Sequence, residues 1–192
     1  MLDFTRTTVR SGPRWHRWVA AALLGPFVAS GGTAEETLRL PVVRDAWISA
    51  YPGETEGNNG GAPRIKLKGI QEMTLLDLDP EALRGRRVLS ATLHLRLETP
   101  TPLDRATVSA VVDAWEEGDG SGYARREGAA SFTWARTGVA RWGGDGPDVT
   151  SASLAARGTP WGFGDVTAPD AEGWQVIPVA ARASITSAAT GI

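Results

Sequence analysis

The chain has 192 residues, 42% of them hydrophobic, and a formal charge of −2. That length suits one domain with a tail, the apolar share supports a packed core, and the near-neutral charge offers no basic field for nucleic acid. With no cysteine there are no disulfides, thiolate metal sites or cysteine nucleophiles, and the only two histidines, His16 and His94, leave little for a histidine-based active site.

Residues 1–34 read as an export signal. Arg6, Arg10, Arg14 and Arg17 stand against the single acid Asp3, an apolar run follows from Trp18 to Ala29, and the small residues Ser30 to Ala34 close the segment. The run is shorter than the about 20 residues that span a bilayer, and Gly25-Pro26 interrupts it. The expectation is cleavage after Ala34, with Ser30 as the rival position, no stable membrane insertion afterwards, and a secreted, periplasmic or cell-surface location. Removing four arginines and one aspartate from the totals of 20 and 22 leaves 16 basic against 21 acidic side chains, a net of −5.

The remainder, 35–192, reads as one module of short strands. Leu38 to Val43, Ala46 to Ala50, Arg64 to Ile70 and Met73 to Leu78 are strand candidates. Pro80 to Gly85 predicts one helical turn capped by Asp79. Val88 to Glu98 alternates almost strictly, with Leu89, Ala91, Leu93, Leu95 and Leu97 on one face, which predicts a half-buried antiparallel strand. Ala106 to Ala114 repeats the pattern, and the proline-rich link Thr99 to Asp104 predicts that the two form a hairpin. Ala130 to Trp134 and Trp174 to Val179 are further strands, and only Val179 to Ala189 looks helical. Without βαβ alternation, the pattern predicts an all-β, antiparallel, jelly-roll-like sandwich. Tyr51 to Pro63 and Trp134 to Thr167 read as long loops, the usual place for function.

In order along the chain, Asp45-Ala-Trp-Ile-Ser, Asn58-Asn59-Gly60 before Arg64-Ile-Lys-Leu-Lys, Met73-Thr-Leu-Leu-Asp-Leu-Asp-Pro-Glu-Ala-Leu, Val88-Leu-Ser-Ala-Thr-Leu-His-Leu-Arg-Leu and Val112-Val-Asp-Ala-Trp-Glu-Glu-Gly resemble the DNRLRE-type domain. Phe132-Thr-Trp134 and Phe163-Gly-Asp-Val-Thr167 are similar to its later segments, so the resemblance runs from Pro41 to Val179. It implies a secreted or cell-surface β-sandwich module related to disaggregatase and polysaccharide-binding modules, some of which hold a structural calcium. Two features depart from the pattern: the insertion Ser121 to Ala130, and a carboxyl-terminal end that stops before the closing strands and leaves open an incomplete edge. The resemblance transfers no ligand-contacting residue.

The residues themselves suggest candidates. An exposed aromatic ring can hold a sugar's apolar face. Trp142, Trp161 and Tyr51 lie in loop sequence and are the aromatic candidates, whereas Trp47, Trp115 and Trp174 sit in strand-like runs that favour core packing. Arg64 and Lys66, with Lys68, alternate on one predicted strand face and could meet acidic sugars, although a solvated stripe is the commoner meaning. Glu54, Glu56, Asn58 and Asn59, with Asp45, offer oxygen ligands for calcium, against the plainer reading of a solvated acidic loop. Asp113, Glu116, Glu117 and Asp119 form a second acidic group. Glu116 and Glu117 are adjacent and would point to opposite faces of a strand, so they do not make a glycosidase pair. The sequence thus predicts a non-catalytic polysaccharide-binding module within a larger exported protein. A structural adhesion module and a disaggregatase-type enzyme are the rivals.

Overall fold

The computed structural model describes residues 7–10, 35–69, 71–99, 101–153 and 161–179. Among these the chain is strand-rich, with two short 3-10 turns as the only helical elements. Ten strands run in chain order: β1 Thr7–Arg10, β2 Glu35–Leu38, β3 Val42–Ser49, β4 Glu72–Leu78, β5 Arg87–Arg96, β6 Arg105–Ser109, β7 Trp134–Arg136, β8 Ala140–Arg141, β9 Trp161–Asp165 and β10 Trp174–Val179. One sheet has the order β10-β5-β1-β2, and three two-stranded ladders pair β3 with β4, β6 with β9 and β7 with β8, all antiparallel. Of the segment read as an export signal, only Thr7–Arg10 is placed, as β1 between β5 and β2. The rest of that segment, and the helical candidate beyond Val179, lie outside the described residues.

β5 follows its expected alternation from Ser90 to Arg96, but Val88 and not Leu89 is the buried residue at its start, and Leu97 lies beyond its end. Ala91, Leu93 and Leu95 are buried, while Ser90 and Arg96 are exposed. Leu93, Leu95 and Ile177 of β10 make a core with Val42, Leu76, Leu78, Ala106 and Val108. The single turn Pro80–Leu83 forms with its expected cap, the Asp79 carboxylate accepting from the Glu81 amide at 3.0 Å.

The expected β5–β6 hairpin does not form. β5 is paired with β10 and β1, and β6 pairs with β9. Buried Gln175 of β10 explains the link's path. Its amide donates to the Leu103 carbonyl (3.1 Å) and its oxygen accepts from the Leu103 N–H (2.9 Å), so the link is held by β10 instead of closing a tight turn. The strand expected over Ala106 to Ala114 also ends early, at Ser109. Beyond it, backbone acceptors find partners outside a ladder: the Trp115 carbonyl takes Arg44, the Glu116 carbonyl takes the Ala130 amide, and the Glu117 carbonyl takes Asn58. The strand expected at Arg64 to Ile70 is likewise not formed over 64–69, its described part. That stretch holds one bridge, Lys68 to Glu72, at the tight turn into β4. The predicted strand at Ala130 to Trp134 shifts to β7.

The β3–β4 hairpin organises the rest. A register shift between Val42 and Arg44 sets its two faces. On one face Ala46, Ile48, Met73 and Leu75 meet a core built with Trp115, Trp142 and Val149. On the other, Val42, Leu76 and Leu78 meet β5 and β10, while Trp47, Ser49, Glu72 and Thr74 continue that face as a polar seam. Among the described residues no helix is long and apolar enough to cross a membrane.

Candidate functional site

Two glycine-rich segments close over the seam. Asn58 is fully buried and uses all of its hydrogen-bonding capacity. Its amide donates to the carbonyls of Glu117 (2.7 Å) and Ala130 (2.8 Å), and its oxygen accepts from the amides of Gly60 (3.3 Å) and Gly120 (2.9 Å). Asn59 donates to the Trp47 carbonyl (3.3 Å) and accepts from the Tyr123 amide (3.0 Å). Direct backbone bonds from Asn58 to Ala124 (3.0 Å) and from Gly61 to Gly120 (2.8 Å) complete the clasp. The approach is so close that only glycine fits: a Cβ at Gly60 would stand 2.1 Å from the Glu117 carbonyl oxygen.

Inside this clasp lies a compact group of side chains. The rings of Trp47 and Tyr123 meet edge to face, with centroids 5.1 Å apart and planes at 86°. The Lys66 ammonium lies 5.1 Å from the Trp47 ring centroid and 5.7 Å from that of Tyr123. It donates to Glu72 Oε1 at 2.6 Å and reaches the Tyr123 hydroxyl at 3.0 Å. The Tyr123 hydroxyl in turn donates to the same Glu72 oxygen at 3.3 Å. Glu72 is 1% exposed. Two buried polar atoms here have no partner, the acceptor Glu72 Oε2 and the donor Trp47 Nε1. Tyr123 also holds φ at +64°, a left-handed conformation costing a non-glycine residue about 1–2 kcal/mol. Strain and unpartnered polar groups thus coincide in one place, a pattern typical of functional sites.

The hydrogen bonds that Lys66 donates to Glu72 and, second, to Tyr123 raise its pKa above the ordinary lysine range. The sign follows from linkage. The pair's contribution is complete below the unfolded lysine pKa of about 10.4 and is lost as pH rises through the higher folded value. Lys66→Met is therefore expected to melt below the parent at neutral pH, because Glu72 is left buried without its cation. Thermal melts should show that difference unchanged to about pH 9 and narrowing above about pH 10.5. A gap that persists at the highest pH the fold tolerates would mean that the ion pair is not its source.

The sequence candidates fall in different places. Tyr51 is 54% exposed, and its amide donates to Ser49, which faces Glu72 across the β3–β4 ladder. Arg64 is exposed and pairs with Glu98. Tyr51 and Lys66 thus reach one end of the hairpin, with Arg64 two residues from Lys66 along the chain. Trp142, expected in a loop that meets ligand, is instead fully buried, its indole N–H donating to the Ser131 carbonyl at 2.9 Å within the core on the hairpin's other face. Trp142→Ala is expected to cost about 3–5 kcal/mol in chemical denaturation, the penalty for emptying a packed indole site. Trp161 opens β9 opposite Ser109, and its side chain lies outside the description.

Four of the five residues considered for calcium use a side-chain oxygen within the fold. Glu54 accepts from the Ser49 hydroxyl at 2.7 Å. Glu56 takes Arg125 at 2.9 Å and the Trp134 indole at 3.3 Å. The Asn58 and Asn59 oxygens accept backbone amides, as above. Asp45 is on the same face of β3 as Trp47, and burial pushes its carboxyl above the usual range. Among the described residues no three His, Asp or Glu side chains gather as a metal-ligand group. In the second acidic group, Asp113 takes the Gly143 amide, Glu116 lies 3.6 Å from Arg44 and Asp119 pairs with Arg126 at 3.1 Å.

Sequence reasoning missed Glu72, Tyr123 and the role of Trp47. Glu72 precedes a predicted strand, and Tyr123 lies in what looked like an insertion. No family model matches the sequence, and neither curated proteins nor solved structures give a match.

Proposed function

We propose that this chain is an exported, non-catalytic β-sandwich module that binds a polysaccharide at the Tyr51–Lys66 end of the β3–β4 hairpin. The observation that carries the reading is the Trp47–Lys66–Glu72–Tyr123 group: two rings, a cation across both, and a buried donor and acceptor left over in a seam where Asn58 is fully hydrogen-bonded. Sugar sites combine these parts, an apolar ring face with a few polar atoms that fix orientation. The basic head and apolar run of residues 1–34 support export, and the resemblance to the DNRLRE-type domain supports the sandwich.

A structural module without a small ligand is the second reading. It is favoured by Asn58 and Asn59, whose side chains bind the glycine-rich loops to each other and to β3.

A polysaccharide array probed with the full chain decides between them. The binding reading expects at least one polysaccharide to be retained, about tenfold more weakly by Tyr51→Ala at an unchanged melting temperature, with no new reducing ends. A folded chain that binds nothing on the array leaves the structural module as the better reading.

A further inference from the structure

We infer that the ligand read at this site is a neutral, hydroxyl-bearing sugar and not one carrying uronate or sulfate; this deepens the binding proposal above and rests on it. Charge pairing is the first argument. Lys66 is bound to Glu72 at 2.6 Å, Arg64 to Glu98, and Arg125 to Glu56 at 2.9 Å and Glu127 at 3.1 Å. An anionic group arriving at Lys66 must compete with Glu72, which is 1% exposed. Drawing the ammonium away leaves that carboxylate buried and unpaired, with a second negative charge beside it. Arg64, whose partner Glu98 is itself exposed, and Lys68, exposed and outside these pairs, are neighbouring cations that carry no such cost.

The second argument is the sense of the unpartnered atoms. Trp47 Nε1 is a donor and Glu72 Oε2 an acceptor. A hydroxyl can accept from the first or donate to the second. A sulfate or carboxylate offers acceptors only, and would set an oxygen anion against Glu72. Lys66 is held to Glu72 with its head group over both rings and 45% of its side chain exposed. Its long flexible stem makes it the member that moves to admit a hydroxyl. Trp47 and Glu72 are then the specificity-determining residues, and Tyr123, held by Asn59, supplies the second ring.

Affinity gel electrophoresis of the full chain tests this with a matched pair, dextran and dextran sulfate, alongside neutral laminarin, galactomannan and xylan and anionic polygalacturonate. The inference expects retardation by at least one neutral polysaccharide, stronger than by any anionic one and insensitive to added salt. Trp47→Phe keeps a ring and removes the N–H, and it should weaken that retardation about tenfold. Retardation confined to the anionic gels and abolished by salt would overturn the inference while leaving the binding reading standing. A folded chain retarded on no gel would overturn both.

Discussion

Replacing Asn58 by alanine is expected to lower the melting temperature by about 8–16 °C. The side chain is wholly buried and satisfies two carbonyls and two amides, belonging to Gly60, Glu117, Gly120 and Ala130. Alanine leaves all four without a partner in a place water does not reach. Each such group costs about 1–3 kcal/mol, and partial relaxation brings the sum to about 4 kcal/mol. Asn58→Asp should be worse, because a carboxylate turns acceptors toward the two carbonyls that now receive N–H bonds. Circular dichroism melts measure both. A shift of only a degree or two for alanine would mean that the clasp contributes little to stability.

Gly60→Ala should rival it for a different reason. The new Cβ would lie 2.1 Å from the Glu117 carbonyl oxygen and 2.6 Å from its carbon. Both are backbone atoms, so no rotamer change relieves the clash and the two loops must separate. About 3 kcal/mol or more is expected, the upper range for overpacking. Gly53→Ala is the control: its φ of +91° strains alanine, but nothing lies within 4 Å of the added carbon. Its cost should stay near 1–2 kcal/mol. Urea denaturation that ranked the two variants the other way would contradict the close approach of the loops.

These two residues also mark where the sequence stops being informative. β5 was legible because its alternation is local, and the Asp79 cap because its signal spans only a few residues. The same holds for β4 and β10, whose apolar runs lie close to their observed bounds, whereas β3 runs across the break between two expected strands, Leu38 to Val43 and Ala46 to Ala50. Asn58-Asn59-Gly60-Gly61 was noticed, but as oxygen donors in a glycine loop. Its partners sit 59 and 72 residues further on, at Glu117 and Ala130, and no periodicity encodes such a pairing. Trp142 looked like a loop residue because glycines surround it, yet those glycines allow tight turns that carry the ring into the core. Of the proposed site, Tyr51, Arg64 and Lys66 were read from exposure-prone types. Glu72 and Tyr123 were not, because a buried glutamate and a left-handed tyrosine are exceptions that only the assembled seam makes tolerable.

The most direct test of the account is the indole N–H signal of Trp47 in a nitrogen-15-labelled full chain, assigned by its loss in Trp47→Phe and followed while a retained neutral polysaccharide fragment is titrated in. The Trp47 signal is expected to move with ligand, while that of Trp142, bonded to the Ser131 carbonyl on the other side of the hairpin, stays in place. A Trp47 signal that remains fixed at saturation, with another tryptophan moving instead, would place the ligand elsewhere and reduce the Trp47–Lys66–Glu72–Tyr123 group to a structural seam.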